Sequence, residues 1–436
     1  MRLSFCSAAV ACALAASAQE PLYFPPLSGT NWATTDPATL GWCPDRIDSL
    51  YDLLETRHTK AFLLLKDGRI VLERYFGTFT QDSLWYWASA GKTLTSTLVG
   101  IAQEEGLLDI HHPTSEYLGT GWTSEAPDKE ALITVRDQLT MTTGLDDTSG
   151  DADCTLPSCL SYLADAGTRW AYHNAPYTLL DHVVANATGT TFNAYFNSRL
   201  RSRIGMDGTW LNLPPSYNNV YYSRARSMAR YGLLALNHMV WDQDTILHDT
   251  AYFHAATTPS QELNKSYGYL WWLNGRPSFM LPTLQIVFPG PLMPHAPPDT
   301  YCALGKNDQL LNVVPSQGLV LVRMGQPAYD SRSVAVVLND EIWVRINALD
   351  CSSTGIADRN AGNVPSLFPN PCTDRFTVSL PGGTAGWRPT VLDAAGRVVL
   401  TPPAAAAIDV SALPAGLYAL RCVKGDTVRT VRFAKQ

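Results

Sequence analysis

The chain has 436 residues, a formal net charge of −7 and 46% hydrophobic residues, enough to bury one large core and a small one. Its charge is uneven: residues 19–363 carry 23 Lys/Arg against 35 Asp/Glu, whereas residues 364–436 carry eight against four. An acidic main part argues against a nucleic-acid partner.

The N-terminus reads as a secretory leader. Arg2 supplies the positive end, residues 3–16 are apolar or small, and Ala16-Ser17-Ala18 is a small-x-small site, so cleavage is predicted after Ala18. Cys12 lies too early in the apolar run to prefer lipidation. No other stretch has 18 uninterrupted apolar residues, so no transmembrane segment is expected. Two of the nine cysteines leave with the leader, and export permits disulfides among the rest. Cys154 and Cys159 are close enough to close a small loop. Cys372 and Cys422 flank the C-terminal segment and could staple it. Cys43, Cys302 and Cys351 are the other three, and an odd total leaves at least one thiol free or intermolecular.

Residues 61–76 predict a hairpin, Ala61 to Leu65 and Ile70 to Leu72 about a Lys66-Asp67-Gly68 turn. A helix follows, with apolar positions at Leu94, Leu98 and Ile101, and breaks at Gly106. Residues 110–240 are mostly helical in pattern, for example Tyr177 to Ala187 and Ser227 to Met239. The acidic loop Asp146, Asp147, Asp151 and Asp153 lacks EF-hand spacing and reads as solvated. The Pro-rich stretch 282–298 reads as a long surface loop. Strand character returns at Gly318 to Arg323, and a helix over about 333–349 closes the domain. Strands at both ends of a helical insert predict one α+β domain, with a sheet assembled from distant parts of the chain. A polar linker, 351–363, then leads to short strands at Arg375–Leu380, Thr390–Asp393, Arg397–Leu400, Gly416–Val423 and Thr427–Phe433, a small all-β module.

The chemistry centres on Ser89-Ala90-Gly91-Lys92, the only Ser-x-x-Lys in the chain. Residues three apart on a helix are neighbours, so Lys92 can reach the Ser89 hydroxyl. The helix N-terminus favours an oxyanion there. A lysine whose proton affinity is lowered by several units becomes a useful base at neutral pH. Alone, the tetrapeptide fits a capped helix with a solvated lysine better than a catalytic pair. Two further segments add to it. In Trp170-Ala171-Tyr172-His173-Asn174, Tyr172 could relay a proton if Lys92 lowers its pKa, and Asn174 could donate to a substrate carbonyl. In Tyr301-Cys302-Ala303-Leu304-Gly305-Lys306, Gly305 lets a substrate approach the strand backbone. An N–H at 305–306 could join that of Ser89 as an oxyanion hole. The aromatic group Trp85, Tyr86, Trp87, Tyr221 and Tyr222 could line an acyl pocket or fill the core. No metal or organic cofactor is called for. No Gly-x-Ser-x-Gly elbow is present, which weakens a Ser-His-Asp alternative.

These elements, in this order and with flanking runs such as Gly106-Leu107-Leu108-Asp109, Leu139-Thr140-Met141-Thr142-Thr143-Gly144 and Ala225-Arg226-Ser227-Met228-Ala229-Arg230, resemble the serine β-lactamase and penicillin-binding superfamily over roughly residues 40–350, particularly its class C branch. The resemblance implies an antiparallel sheet flanked by helices with a mostly helical subdomain. It also implies Ser89 as nucleophile, Lys92 as its base, Tyr172 as proton shuttle, and Asn174 and Gly305 as substrate-binding positions. The chain departs from the family at Ala303-Leu304-Gly305, which stands in place of Lys-Thr-Gly. An apolar pair cannot supply the charge-assisted hydrogen bonds, roughly 1.5–3 kcal/mol each, that hold a substrate carboxylate. Lys306 follows the glycine, but its side chain is not expected to restore that clamp. The chain is therefore closer to the esterase and nylon-oligomer-hydrolase branches. The substrate implied is a small-molecule ester, amide or peptide, with a β-lactamase or carboxypeptidase, and a degenerate binding protein, as alternatives. The C-terminal module, with Phe368-Pro369-Asn370-Pro371 and Ile408-Asp409-Val410-Ser411-Ala412-Leu413-Pro414-Ala415-Gly416, resembles the sorting domains of type IX secretion. That implies the type IX machinery as partner and a secreted or cell-surface protein. The domain reading is therefore a leader at 1–18, a hydrolase domain at 19–350, a linker at 351–363 and a sorting β-sandwich at 364–436.

Overall fold

The computed structural model describes residues 22–148, 150–212, 218–329, 335–351, 366–380, 383, 385–393, 397–425 and 427–435. The leader with its cleavage site and most of the linker lie outside the described residues. The chain divides into two units between Cys351 and Ser352.

In the first unit, helix α1 (Pro44–Thr56) leads into strands β1 (Thr59–Lys66) and β2 (Arg69–Tyr75). The expected hairpin turn is present, with Asp67 and Gly68 both at positive φ. A short strand β3 (Trp85–Tyr86) and a 3₁₀ turn (Ala88–Gly91) precede helix α2 (Lys92–Glu104), which stops two residues before Gly106. Residues 92–102 of α2 are all buried, so it is a central helix enclosed on every side and not a surface one. The helical middle contains α3 (Asn174–Thr178) and α4 (Leu180–Thr188). It also contains a hairpin that the sequence did not announce, β4 (Thr209–Asn212) with β5 (Asn219–Ser223), to which β3 adds as a third strand. Helix α5 (Ala225–Leu236) then crosses the main sheet. The close crossing depends on Gly232, where a Cβ would fall 2.5 Å from Val320 Cγ1 and 2.6 Å from Leu311 Cδ1.

The main sheet is completed by β6 (Trp272–Leu273), β7 (Tyr301–Gly305), β8 (Gln309–Val314) and β9 (Leu319–Gly325), before helix α6 (Val336–Asn347). Its order is β2-β1-β9-β8-β7-β6, antiparallel throughout. The N-terminal hairpin thus pairs directly with the last strand of the unit, Leu64 opposite Leu321. Strands β1, β8 and β9 are buried over nearly their whole length because α5 covers one face of the sheet and α1 and α6 pack beside it. This is the expected α+β architecture. The Pro-rich stretch is a long loop interrupted by a two-residue pairing, Ser278–Phe279 with Phe288–Pro289.

The second unit is strand-rich and holds its own core of Phe376, Val378, Val391, Leu420 and Phe433. The five expected strands form, joined by two more, Ser366–Phe368 and Ala407–Asp409. Both extra strands have three residues and adjoin prolines or an alanine run, so neither carries a readable alternation. A three-stranded and a four-stranded sheet result.

The disulfides correct the sequence-based pairing in part. Cys154 and Cys159 are bonded as expected. Cys372 and Cys422 are not; both are buried free thiols, as is Cys302. The register gives the reason: Cys422 lies opposite Arg429, whereas Cys372 bridges Lys435, six residues further along the same strand. Six residues of strand span about 20 Å, far beyond the ~7 Å Cα separation a disulfide allows. The unannounced bond is Cys43–Cys351, with Cα atoms 5.2 Å apart, which ties the start of α1 to the segment after α6. A denaturing thiol titration of protein produced from residue 22 onward is expected to find three free thiols. A count of one would show that Cys372 and Cys422 are bonded after all.

Candidate active site

The three sequence elements converge. Ser89 occupies the 3₁₀ turn that feeds α2, and it is partly exposed. The residue before it, Ala88, has φ 48°. A left-handed conformation costs a non-glycine residue about 1–2 kcal/mol, so its surroundings must enforce it. They do so through Trp87: its N–H donates to Tyr221 O at 2.8 Å, and its Nε1 donates to Ser223 Oγ at 2.8 Å. Gly305, at the end of β7, lies against the same turn. A Cβ built on it would fall 2.3 Å from Trp87 O and 3.1 Å from Ala90 N. The glycine is required for the strand backbone to sit beside the serine.

Lys92 opens α2 and is 3% exposed. Its Nζ lies 3.5 Å from the centroid of the Tyr177 ring and 5.5 Å from that of Tyr172. Burial pulls its pKa down from 10.5 to about 7, against the opposing pull of Asp153 and Asp181. An amine in that state is half-neutral near pH 7, as a general base should be.

The Tyr172 side chain faces Ser89. Its ring stacks on Trp272 (5.8 Å, 21°) and meets Tyr267 edge-on (6.2 Å). Burial raises its pKa, and the nearby Ser89 side chain only partly opposes that. The condition that Lys92 lower the phenol is thus not met; the amine sits over the ring, and burial keeps the phenol protonated. The neighbouring His173 is buried, which lowers its pKa, with Nδ1 unpartnered.

Asn174 begins α3 and donates from Nδ2 to Asp153 Oδ1 at 2.7 Å, while its own Oδ1 is buried without a partner. One donor of the amide expected to face a substrate is thus engaged within the protein. Lys306 is exposed on the turn after β7. Ala303 and Leu304 are buried within the sheet. Of the aromatic group, Trp87 and Tyr221 are core, edge-to-face at 5.3 Å. Trp85, Tyr86 and Tyr222 stay partly exposed, and Asn307 Nδ2 donates to the Tyr86 hydroxyl at 2.8 Å.

Three contributors were missed from sequence: Tyr177, Asp181 and Asp153. Asp181 is buried, accepts from Asn219 Nδ2 at 2.8 Å, and is raised by burial to about 7. Its one signal was a carboxylate four residues after Tyr177 in an otherwise apolar helical run. Asp153 had none, and the loop that carries it is not simply solvated, since Asp147 also pairs with Arg169 at 2.7 Å.

The sequence family described as Beta-lactamase matches residues 50–337, and the family described as Secretion system C-terminal sorting domain matches residues 366–436. The chain therefore belongs to the beta-lactamase family, whose members are generally serine hydrolases, and carries a C-terminal sorting domain that marks it for export to the cell surface or beyond. Among curated proteins it is 24% identical over 196 residues to a beta-lactamase of Pseudomonas fluorescens, covering 43% of this chain and 54% of that one. It is 34% identical over 73 residues to the 6-aminohexanoate-dimer hydrolase of Paenarthrobacter ureafaciens, covering 17% and 19%. The match thus spans about half of the first relative and a fifth of the second. A solved structure from Bacillus anthracis, titled as a candidate 6-aminohexanoate-dimer hydrolase, shares the fold with a TM-score of 0.56 at 18% identity, over 75% of this chain and 89% of that one. Among the described residues no helix is long and apolar enough to cross a membrane.

The buried amine gives a stability test. Below pH 7 the folded state must hold the ammonium in a dry site, a cost that shrinks as pH rises from about 7 to 10.5 and the unfolded chain also loses the proton. Lys92→Met is expected to stabilise the fold at pH 6 by roughly 1–4 kcal/mol, the range seen when apolar residues replace buried ionic ones. The gain should fade toward pH 10 in thermal melts. Equal melting temperatures for the two proteins at pH 6 would contradict the burial argument.

Proposed function

We propose that this protein is an exported serine hydrolase that cleaves an ester or amide through a Ser89 acyl-enzyme. The observation that carries the reading is the buried Lys92, poised near pH 7, one helical turn from a serine that the Tyr172 side chain faces. Ser89 Oγ attacks the substrate carbonyl, and its proton passes to the Lys92 amine. The oxyanion rests on backbone N–H groups of Ser89 and of the strand end at 305–306, brought together by the Gly305 contact. Tyr172, kept protonated by burial, donates to the leaving group. Water then attacks the acyl-enzyme, with the same groups returning the protons.

The substrate is one whose recognition needs no carboxylate clamp. Ala303 and Leu304 are buried and apolar, and Lys306 is exposed on the turn beyond them. Ester and linear-amide substrates fit this better than penicillins, as does the partial similarity to a 6-aminohexanoate-dimer hydrolase. In the full reading, residues 1–18 direct export, 19–350 form the hydrolase, 351–363 link it, and 364–436 engage the type IX secretion machinery.

Ser89→Ala is expected to abolish labelling by a serine-directed fluorophosphonate; labelling that persists removes Ser89 as nucleophile. Tyr172→Phe should lower ester turnover by about two orders of magnitude or more, the usual scale for a positioned acid/base. Near-normal turnover would take Tyr172 out of the reaction. Covalent capture of a fluorescent penicillin with efficient release would favour a β-lactamase instead.

A further inference from the structure

Asp153 lies on the loop before Trp170, outside every motif that marks the site. Its Oδ1 accepts from Asn174 Nδ2 at 2.7 Å. A carboxylate only accepts, so this bond decides how the Asn174 amide is turned: NH₂ toward Asp153, with the carbonyl oxygen left as a buried acceptor. The loop is held where this contact needs it. Ala175 N–H donates to Ala152 O at 3.1 Å, Asp153 N–H donates to Asp151 Oδ1 at 2.9 Å, and the next residue, Cys154, is bonded to Cys159. A solvated acidic loop has no reason to be tied down on both sides of one aspartate.

The same carboxylate acts on the base. The titratable groups around Lys92 are the Tyr172 and Tyr177 rings, Asp153 on this loop and Asp181 on α4. Of the two carboxyls, Asp153 exerts the larger pull, and Asp181 is itself pushed toward neutrality by burial. Asp153 also faces His173, together with Asp146, Asp147 and Arg169. Burial holds His173 below its usual range.

We propose that Asp153 is a positioning residue of the acyl-transfer site, turning the Asn174 amide and adding a negative charge that favours the protonated amine of Lys92 against burial. The proposal rests on the Ser89–Lys92 reading above. Removing the charge disfavours the ammonium, so Lys92 loses its proton at a lower pH and the acid limb of the rate profile moves down.

Asp153→Asn keeps an acceptor for Asn174 and removes the charge, whereas Asp153→Ala removes both. The measurement is kcat/KM for ester hydrolysis against pH, normalised to the Ser89 titratable by fluorophosphonate. In Asp153→Asn the acid limb, near pH 7 in the parent, is expected to move down by about half a unit or more, with the plateau within about threefold. In Asp153→Ala the limb moves likewise and the plateau drops about tenfold or more. A residue that only holds the loop together would lower the titre of active protein and leave the limb in place. An unmoved limb in Asp153→Asn, or a parent-level plateau in Asp153→Ala, overturns the proposal. If Ser89→Ala still labels, the underlying reading fails; if labelling needs Ser89 and only the limb stays put, the role of Asp153 alone fails.

Discussion

A lysine amine buried among aromatic rings, with no carboxylate within ion-pair distance among the described residues, is the constraint on which the site depends. An unpaired ammonium in such surroundings is costly, so the amine gives up part of its proton affinity, and the fold accepts the lost stability. A drop from 10.5 to about 7 corresponds to roughly 5 kcal/mol between the two protonation states. Helix α2 is enclosed on every side because its first residue must be dry. Helices α4 and α5 and the helix Thr250–Ala256 pack around it, and the strained turn at Ala88 sets the serine at its mouth.

The enclosure is drawn from distant parts of the chain. Trp87 and Tyr221 lock the Ser89 turn from below, and the β7 strand end closes it from the side through a glycine. Tyr172 is held between Trp272 and Tyr267, so its hydroxyl is delivered by ring packing more than by backbone geometry. The Cys43–Cys351 bond joins the two ends of this unit, a covalent closure suited to a protein that works after export. The second unit has its own core and keeps two thiols buried and unbonded.

Much of this was legible in the sequence, and the unreadable parts have identifiable causes. Periodicity located β1, β2, α2 and β9 because each carries an uninterrupted apolar signal. Ser89, Lys92, Tyr172, Asn174 and Gly305 were legible as short motifs, and the fold places all five in one region. The β4–β5 hairpin was missed because Asn219 to Ser223 is short and follows a Pro/Asn stretch with no alternation. The pairing of Cys43 with Cys351 spans 308 residues, and nothing local encodes it. Asp153 and Asp181 act through space on a residue far away in the chain, so spacing rules could not find them. The sequence left a Cys372–Cys422 bond open, and strand register, a quantity that composition does not carry, closes it.

The central claim is that Ser89 forms a covalent acyl intermediate, with Lys92 as its base. The most direct measurement is acid-quenched intact mass and peptide mapping after mixing the protein with a panel of activated esters, linear amides and β-lactams. The account predicts a transient adduct with the mass of the acyl group, confined to the peptide containing Ser89, formed fastest with esters and faster above pH 7 than below it. An adduct on another residue, or steady ester turnover with no adduct at any quench time, would contradict it.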